Sequence, residues 1–177
     1  MKILAISGSG RARSTNTALL RAVAVIAQPD HDVTVFADVA RLPVFSPDLE
    51  AGPLPEPVQC FVDSIANSDC VIISSPEYVR AIPGGLKNAI DWLVSRDEII
   101  SKPVALMHAS HRGDDMLAQL RLVLSTVSTG FAQDVFVRFA LMKLSPEDIA
   151  DHMMQAAQQA SVRGFLHSLA QASDDRA

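Results

Sequence analysis

Apolar positions along the chain follow two spacings: short, nearly unbroken runs that read as strands, and longer runs at three-and-four spacing that read as helices. Residues 2–7 place Ile3, Leu4, Ala5 and Ile6 in a row, short enough for a strand, and residues 17–26 form an apolar-rich run long enough for a helix. Residues 31–38 alternate Val33, Val35 and Ala37 with Thr34 and Phe36, a second strand. Residues 39–57 carry prolines at 43, 47, 53, 55 and 57 and read as a long loop. Val58, Phe61, Val62 and Ile65 predict a helix over 57–67, and residues 69–74 a strand that is apolar on both faces. Residues 75–85 are a loop by their Pro and Gly content. Leu86, Ala89, Ile90, Leu93 and Val94 then predict a helix over 86–94. A strand at 104–109, a loop at 110–115, a helix at 116–128 and a short last strand at 134–137 follow. Ser145-Pro146-Glu147-Asp148 opens one final helix with a serine cap, a proline at the first position and a capping-box acid. Residues 174–177 read as a frayed tail.

Five strands separated by helices predict an α/β fold with a mostly parallel sheet covered on both faces, in one domain over residues 1–173. Open sheets of this kind bind ligands at the carboxyl ends of their strands. Three loops leave those ends, at 8–16, 76–85 and 110–114, and all are rich in Gly, Pro or small polar residues. Composition narrows the picture further. Among 177 residues, 49% are apolar and the net charge is −5, which describes a globular chain without the basic face of a nucleic-acid binder. Cys60 and Cys70 lack metal or redox-motif spacing and read as buried free thiols, in keeping with a reducing compartment. No leader pattern or membrane-length apolar run is visible, so the expected location is cytoplasmic.

The loop Gly8-Ser9-Gly10-Arg11-Ala12-Arg13-Ser14-Thr15-Asn16 joins the first strand to the first helix. Unpaired N–H groups and the dipole at a helix start favour an anion. Ser9, Ser14, Thr15 and Asn16 add donors, and Arg11 or Arg13 a full charge. The plainer alternative is a tight turn with Ser14 as helix cap. The loop lacks the second Gly and the Lys of a Walker P-loop, and Arg13 stands where a dinucleotide fingerprint has its third Gly. What remains suits a terminal monophosphate. Pro76-Glu77-Tyr78 forms either a rigid turn with an anchored Tyr or an edge for a flat heterocycle. Ser110 and Gly113 permit close backbone approach from a third side. His31, His108, His111, His152 and His167 are scattered and form no metal set, and no hydroxyl sits in a nucleophile elbow.

Two motifs together resemble the NADPH-dependent FMN reductases of the flavodoxin-like fold, a family of small flavin, quinone, azo-dye and chromate reductases. The first is Gly-Ser-x-Arg-x-x-Ser-x-Asn, met by Gly8, Ser9, Arg11, Ser14 and Asn16. The second is Pro76-Glu77-Tyr78 followed by Pro83, Gly84, Leu86, Lys87, Asn88, Ala89, Ile90, Asp91 and Trp92. The segment Leu42 to Leu49 is also similar, and the element order matches over residues 1–140. The resemblance implies a three-layer flavodoxin-like sandwich with a parallel sheet in the order 2-1-3-4-5. It implies non-covalent FMN, its phosphate on Ser9, Arg11, Ser14, Asn16 and Thr17. The flavin ring would rest against Pro76, Glu77, Tyr78 and Val79, with Ser110 and Gly113 on its other side. Val79 departs from the Asn usual after Tyr. Arg112, Asp114 and Asp115 stand in a loop that is usually richer in glycine.

The activity so implied is hydride transfer from NADPH or NADH to FMN and then reduction of a small acceptor: quinone, azo compound, metal oxyanion or free flavin. FMN performs the redox chemistry, so no side chain is assigned as catalytic acid or base. Arg80 or Arg112 could meet a nucleotide phosphate, although a solvated surface arginine is the plainer reading of either. The family pattern also implies a homodimer or homotetramer, with the helix at 86–94 at the interface and Trp92 as a core or interface residue. No nucleic-acid or membrane partner is expected. Two alternatives are a flavodoxin-like electron carrier serving protein partners and a flavin fold that has lost its cofactor.

Overall fold

A computed structural model describes residues 1–174. The strands are β1 (Lys2–Ser7), β2 (Asp32–Phe36), β3 (Cys70–Ser74), β4 (Val104–His108) and β5 (Phe131–Arg138). The helices are α1 (Thr15–Ile26), α2 (Pro47–Glu50), α3 (Glu56–Ala66), α4 (Gly84–Asp91), α5 (Asp97–Ile100), α6 (Asp114–Val127), α7 (Pro146–Met153) and α8 (Ala156–Asp174), with a 3₁₀ turn at Val39–Arg41. The sheet order is β2-β1-β3-β4-β5 and every pairing is parallel, the flavodoxin-like arrangement that the motifs imply.

Side chains on successive strand residues point to opposite faces, so each strand feeds two cores. Ile3 and Ala5 of β1, Ile72 of β3 and Met107 of β4 join a core with Leu19 and Val23 of α1, Ile149 of α7 and Phe165 of α8. Leu4 and Ile6, Ile73 and Leu106 join a second core with Phe61 of α3, Leu86 of α4 and Leu120 of α6. β1, β3 and β4 are buried along nearly their whole length, which is why their runs are apolar on both faces.

Several boundaries differ from the sequence expectations. The segment 39–57 is not all loop: Ser46 caps α2 by accepting the N–H of Asp48, with Pro47 in the first turn. α5 was not expected. β5 is eight residues long, not four, because it is an edge strand whose Gln133 and Asp134 face solvent across a register irregularity. The final helix is two helices, α7 with the expected Ser145 and Asp148 capping box, and α8. Asp174, placed in the expected frayed tail, ends α8, and the rest of that tail lies outside the described residues. Cys60 is exposed and Cys70 buried, so the expectation of two buried thiols holds for one.

The second motif has a structural explanation. Asn88 accepts the Phe45 N–H (2.8 Å) and donates to the Pro43 carbonyl (2.9 Å). Trp92, fully buried, donates its indole N–H to the same carbonyl (2.8 Å) and stacks edge-on against Phe45. The proline-rich segment is thereby fixed to α4, and Trp92 is a core residue of this chain.

Candidate functional site

The first loop is built by its own polar groups. The Gly8 N–H donates to the Ser74 carbonyl (2.8 Å), which stitches the end of β1 to β3. A Cβ at Gly8 would lie 2.5 Å from Ser75 Oγ, so no larger residue fits there without displacing that neighbour. Ser9 Oγ accepts the Arg11 N–H (3.2 Å), and Ser14 caps α1 by accepting the Thr17 N–H (3.3 Å). Each of these hydroxyls keeps its own hydrogen for a further acceptor. Thr17 Oγ1 and Ser7 Oγ share a hydrogen bond (2.8 Å), and Asn16 Oδ1 accepts from Ser74 Oγ (2.9 Å). That contact turns the Asn16 amide so that its NH₂ has no partner among the described residues. The Thr15 and Asn16 backbone N–H groups, at the helix start, are likewise unpaired there. The two arginines are not equivalent. Arg13 pairs with Glu147 of α7 (2.8 Å), whereas Arg11 has no ion-pair partner among the described residues.

The second loop is a tight reversal. Tyr78 and Ala81 exchange both backbone hydrogen bonds (3.2 and 3.0 Å), with Val79 and Arg80 at φ of 52° and 59°. Positive φ at both central residues defines a type I′ turn. Tyr78 is half exposed and Val79 fully so. Glu77 reaches across to α6, where its carboxylate accepts the Met116 N–H (3.0 Å). Arg80 is tied to Asp115 (2.6 Å). That hydrogen bond holds the Arg80 pKa above and the Asp115 pKa below their ordinary values.

The third loop is braced from beneath. His108, at the end of β4, is buried, and its Nε2 meets the Arg112 carbonyl. A carbonyl only accepts, so Nε2 carries the hydrogen and Nδ1, buried with no hydrogen-bond partner, holds the lone pair. Burial lowers the ring's pKa, with the Arg138 charge acting in the same direction and the Arg112 carbonyl, the nearby Ser75 backbone (too poorly placed to satisfy Nδ1) and the Asp114 charge opposing both. Ser110 Oγ accepts the Arg112 N–H (2.9 Å) and donates to Met142 Sδ (2.7 Å). Gly113 sits at φ 102° against the imidazole, where a Cβ would come within 2.8 Å of Nε2. Arg138 of β5 closes the far side on Asp114 (2.5 Å).

A cavity of about 340 Å³ lies where the three loops meet. Of the residues singled out from sequence, Arg11, Asn16, Pro76, Glu77, Ser110 and Gly113 line it. Ser9, Ser14 and Thr17 lie buried in the first loop beside it, while Tyr78 and Val79 stand outward on the turn. Thr15, offered by the sequence as an anion donor, and Arg112 line the cavity as well, and the lining also includes His108, Ala109 and Met142. Arg112 carried a sequence signal as a cation in that loop. His108 could have been found as a polar residue ending a fully apolar strand. Met142 comes from the segment after β5 and carried no signal. No group of three or more His, Cys, Asp or Glu able to hold a metal occurs among the described residues. The lining therefore offers hydrogen-bond donors and two cations, and no nucleophile–base pair.

The family model for NADPH-dependent FMN reductases matches residues 1–140. The chain belongs to this family. The 2-hydroxy-1,4-benzoquinone reductase of Burkholderia sp is 40% identical over 92 residues, covering 52% of this chain and 49% of that protein. The quinone reductase of Escherichia coli K12 is 33% identical over 114 residues, covering 62% and 60%. The chain thus spans about half to three-fifths of the length of these relatives. Among solved structures, the flavoenzyme NAD(P)H:(acceptor) oxidoreductase FerB of Paracoccus denitrificans superposes with a TM-score of 0.73 at 25% identity, over 96% of this chain and 97% of that one. The family match ends just before the Met142 segment, which accounts for the silence of family motifs about that part of the lining.

Proposed function

We propose that the chain is an FMN-dependent NAD(P)H oxidoreductase that reduces a small acceptor such as a quinone. The supporting observation is the convergence of the loops after β1, β3 and β4 on one cavity, with an unpaired guanidinium and unpaired helix-start N–H groups at one side. Such a donor set suits a phosphate monoester without a metal. Arg11, Asn16 and the Thr15 and Asn16 N–H groups would hold the phosphate, with the Ser9 and Ser14 hydroxyls directed by the N–H groups they accept. Pro76, Glu77 and the following turn would bound the ring on one side, and Ser110 and Gly113 on the other. Bound FMN supplies the redox chemistry, taking a hydride from reduced nicotinamide and passing electrons to the acceptor. The chain's own part is binding, orientation and exclusion of water. The electron-carrier reading finds no support in the lining, where Glu77 is the one acid and its carboxylate caps α6, while Arg11 and Arg112 are cations. We also take the protein to be a homo-oligomer, since Val44, Leu49 and Val94 stand exposed beside the α4 junction.

The test is anaerobic addition of NADPH to FMN-loaded protein. The expected outcome is bleaching of the flavin absorbance band and its return on adding a benzoquinone. Protein that takes up no FMN, or holds it without bleaching, refutes the proposal. The site assignment has its own test in Arg11→Ala. Loss of a charge-assisted phosphate contact weakens FMN binding by about ten- to a hundredfold, read as Kd by quenching of FMN fluorescence.

A further inference from the structure

Five arginines surround the cavity and its loops, and acidic partners account for three of them. Arg13 is held by Glu147, Arg80 by Asp115 and Arg138 by Asp114. Arg11 and Arg112 have no ion-pair partner among the described residues, and both line the same cavity. They stand on different loops. Arg11 follows β1 and Arg112 follows β4, with β3 between those strands. Two strand spacings separate the loop roots by about 10 Å. One phosphate monoester accounts for Arg11 and leaves Arg112 unexplained.

The backbone around Arg112 is fixed on both sides. Its N–H donates to Ser110 Oγ (2.9 Å), its carbonyl accepts from buried His108, and Gly113 follows in a left-handed conformation packed on the imidazole. Arg138 holds the preceding carbonyl of His111 (3.4 Å). The side chain itself is exposed. A cation on an immobilised backbone loses little further freedom when it binds, and a guanidinium matches a phosphate in bidentate geometry. In a chain of net charge −5, an unpaired arginine at the rim of a cavity is a local attractor for an anion.

We propose that Arg112 is a binding residue for the reductant, docking a phosphate of the nicotinamide dinucleotide at the rim opposite Arg11. This rests on the oxidoreductase reading above, and His108 and Ser110 serve it as positioning residues. The shared chemistry is a nucleotide phosphate, and two sources satisfy it: the 2′-phosphate of NADPH or the pyrophosphate common to NADPH and NADH.

The experiment compares wild type, Arg112→Gln and Arg112→Lys. FMN affinity is measured first and is expected to stay within twofold of wild type in both variants. Arg112→Gln then raises the NADPH KM about tenfold, the size expected for one charge-assisted contact, with kcat little changed and partial recovery in Arg112→Lys. Binding of 2′,5′-ADP, followed by calorimetry without any turnover, weakens in parallel. A rise in KM for NADPH alone identifies the 2′-phosphate, and an equal rise for NADH identifies the pyrophosphate. Unchanged 2′,5′-ADP affinity together with unchanged KM for both reductants overturns the proposal. So does loss of FMN affinity in Arg112→Gln, which would assign Arg112 to the cofactor. A wild-type protein that binds 2′,5′-ADP through Arg112 but takes up no FMN would refute the oxidoreductase reading and the reductant role with it, leaving Arg112 as a nucleotide-phosphate contact only.

Discussion

Val79 holds a backbone conformation that β-branched residues rarely adopt, at φ 52° and almost wholly exposed. No packing compensates it, so the strain of a left-handed residue, about 1–2 kcal/mol, falls on the turn. Asn and Gly are the residues that type I′ turns favour. Val79→Asn is therefore expected to stabilise the protein by about 1 kcal/mol, seen as a higher urea midpoint with an unchanged m-value. An unmoved midpoint would show that the turn carries no strain. The Val-Arg pair also shows where reading by residue type stops. Neither residue signals a reversal, and the turn exists because the flanking Tyr78 and Ala81 close it. In the first loop, by contrast, Ser14 was legible as a cap because its role is local. Which polar groups face the cavity was not legible, because Ser7 with Thr17, and Ser74 with Asn16, pair across the sequence and consume part of their hydrogen-bonding capacity.

At the scale of elements, α6 begins without a cap of its own. Gly113 at its N-cap has no side chain, and Glu77 from the preceding loop supplies the acceptor for Met116 N–H. The second and third loops are thereby joined, so the ring-contact role assigned to Glu77 from sequence competes with a capping role. The two are separable. Glu77→Gln keeps an acceptor oxygen and is expected to keep stability and FMN affinity, whereas Glu77→Ala loses the cap at about 1 kcal/mol and speeds amide exchange at Met116. A flavin reduction potential that shifts in Glu77→Gln while stability holds would instead show the carboxylate charge acting on the ring. The elements that sequence pattern revealed are those with strong local signals: buried β1, β3 and β4, and the Ser145-Pro146 start of α7. Ser46-Pro47-Asp48 is the same kind of start, yet four further prolines around it outweighed that signal, and α2 read as loop. β5 reads short because an edge strand tolerates the exposed Gln133 at a position that a central strand would bury.

For the molecule as a whole, buried titrating groups set opposite edges to its range of stability. His108 and His31 have pKa values lowered below the ordinary 6.5, in both cases mainly by burial. Above pH 6.5 both states leave these rings neutral and stability is full. As pH falls through 6.5 toward the depressed folded values, the unfolded chain takes up protons that the fold refuses, and stability declines. Cys70 acts in the other direction, its thiol pushed by burial from 9.0 to about 12. Its contribution is full below pH 9 and is lost above it, as the unfolded thiol ionises while the folded one does not. Each group has a limiting slope of about 1.4 kcal/mol per pH unit. Lys102, whose pKa burial lowers from its ordinary 10.5, acts against Cys70 on the alkaline side, and the larger Cys70 shift sets the sign there. Denaturation at fixed temperature from pH 5 to 10.5 is thus expected to give a plateau between about pH 6.5 and 9, falling on both sides. Asp115 and Glu147, whose pKa values are lowered by Arg80 and, for Glu147, by a backbone hydrogen bond and Arg13, act only below the carboxylate range and leave this window unaffected. Cys70→Ala flattens the alkaline flank and His108→Gln reduces the acid one, whatever each does to the height of the plateau. An acid flank unchanged in His108→Gln would mean that His108 is protonated in the folded protein. In that case both of its nitrogens would carry hydrogens, and the bracing of the Arg112 loop would not depend on a neutral ring.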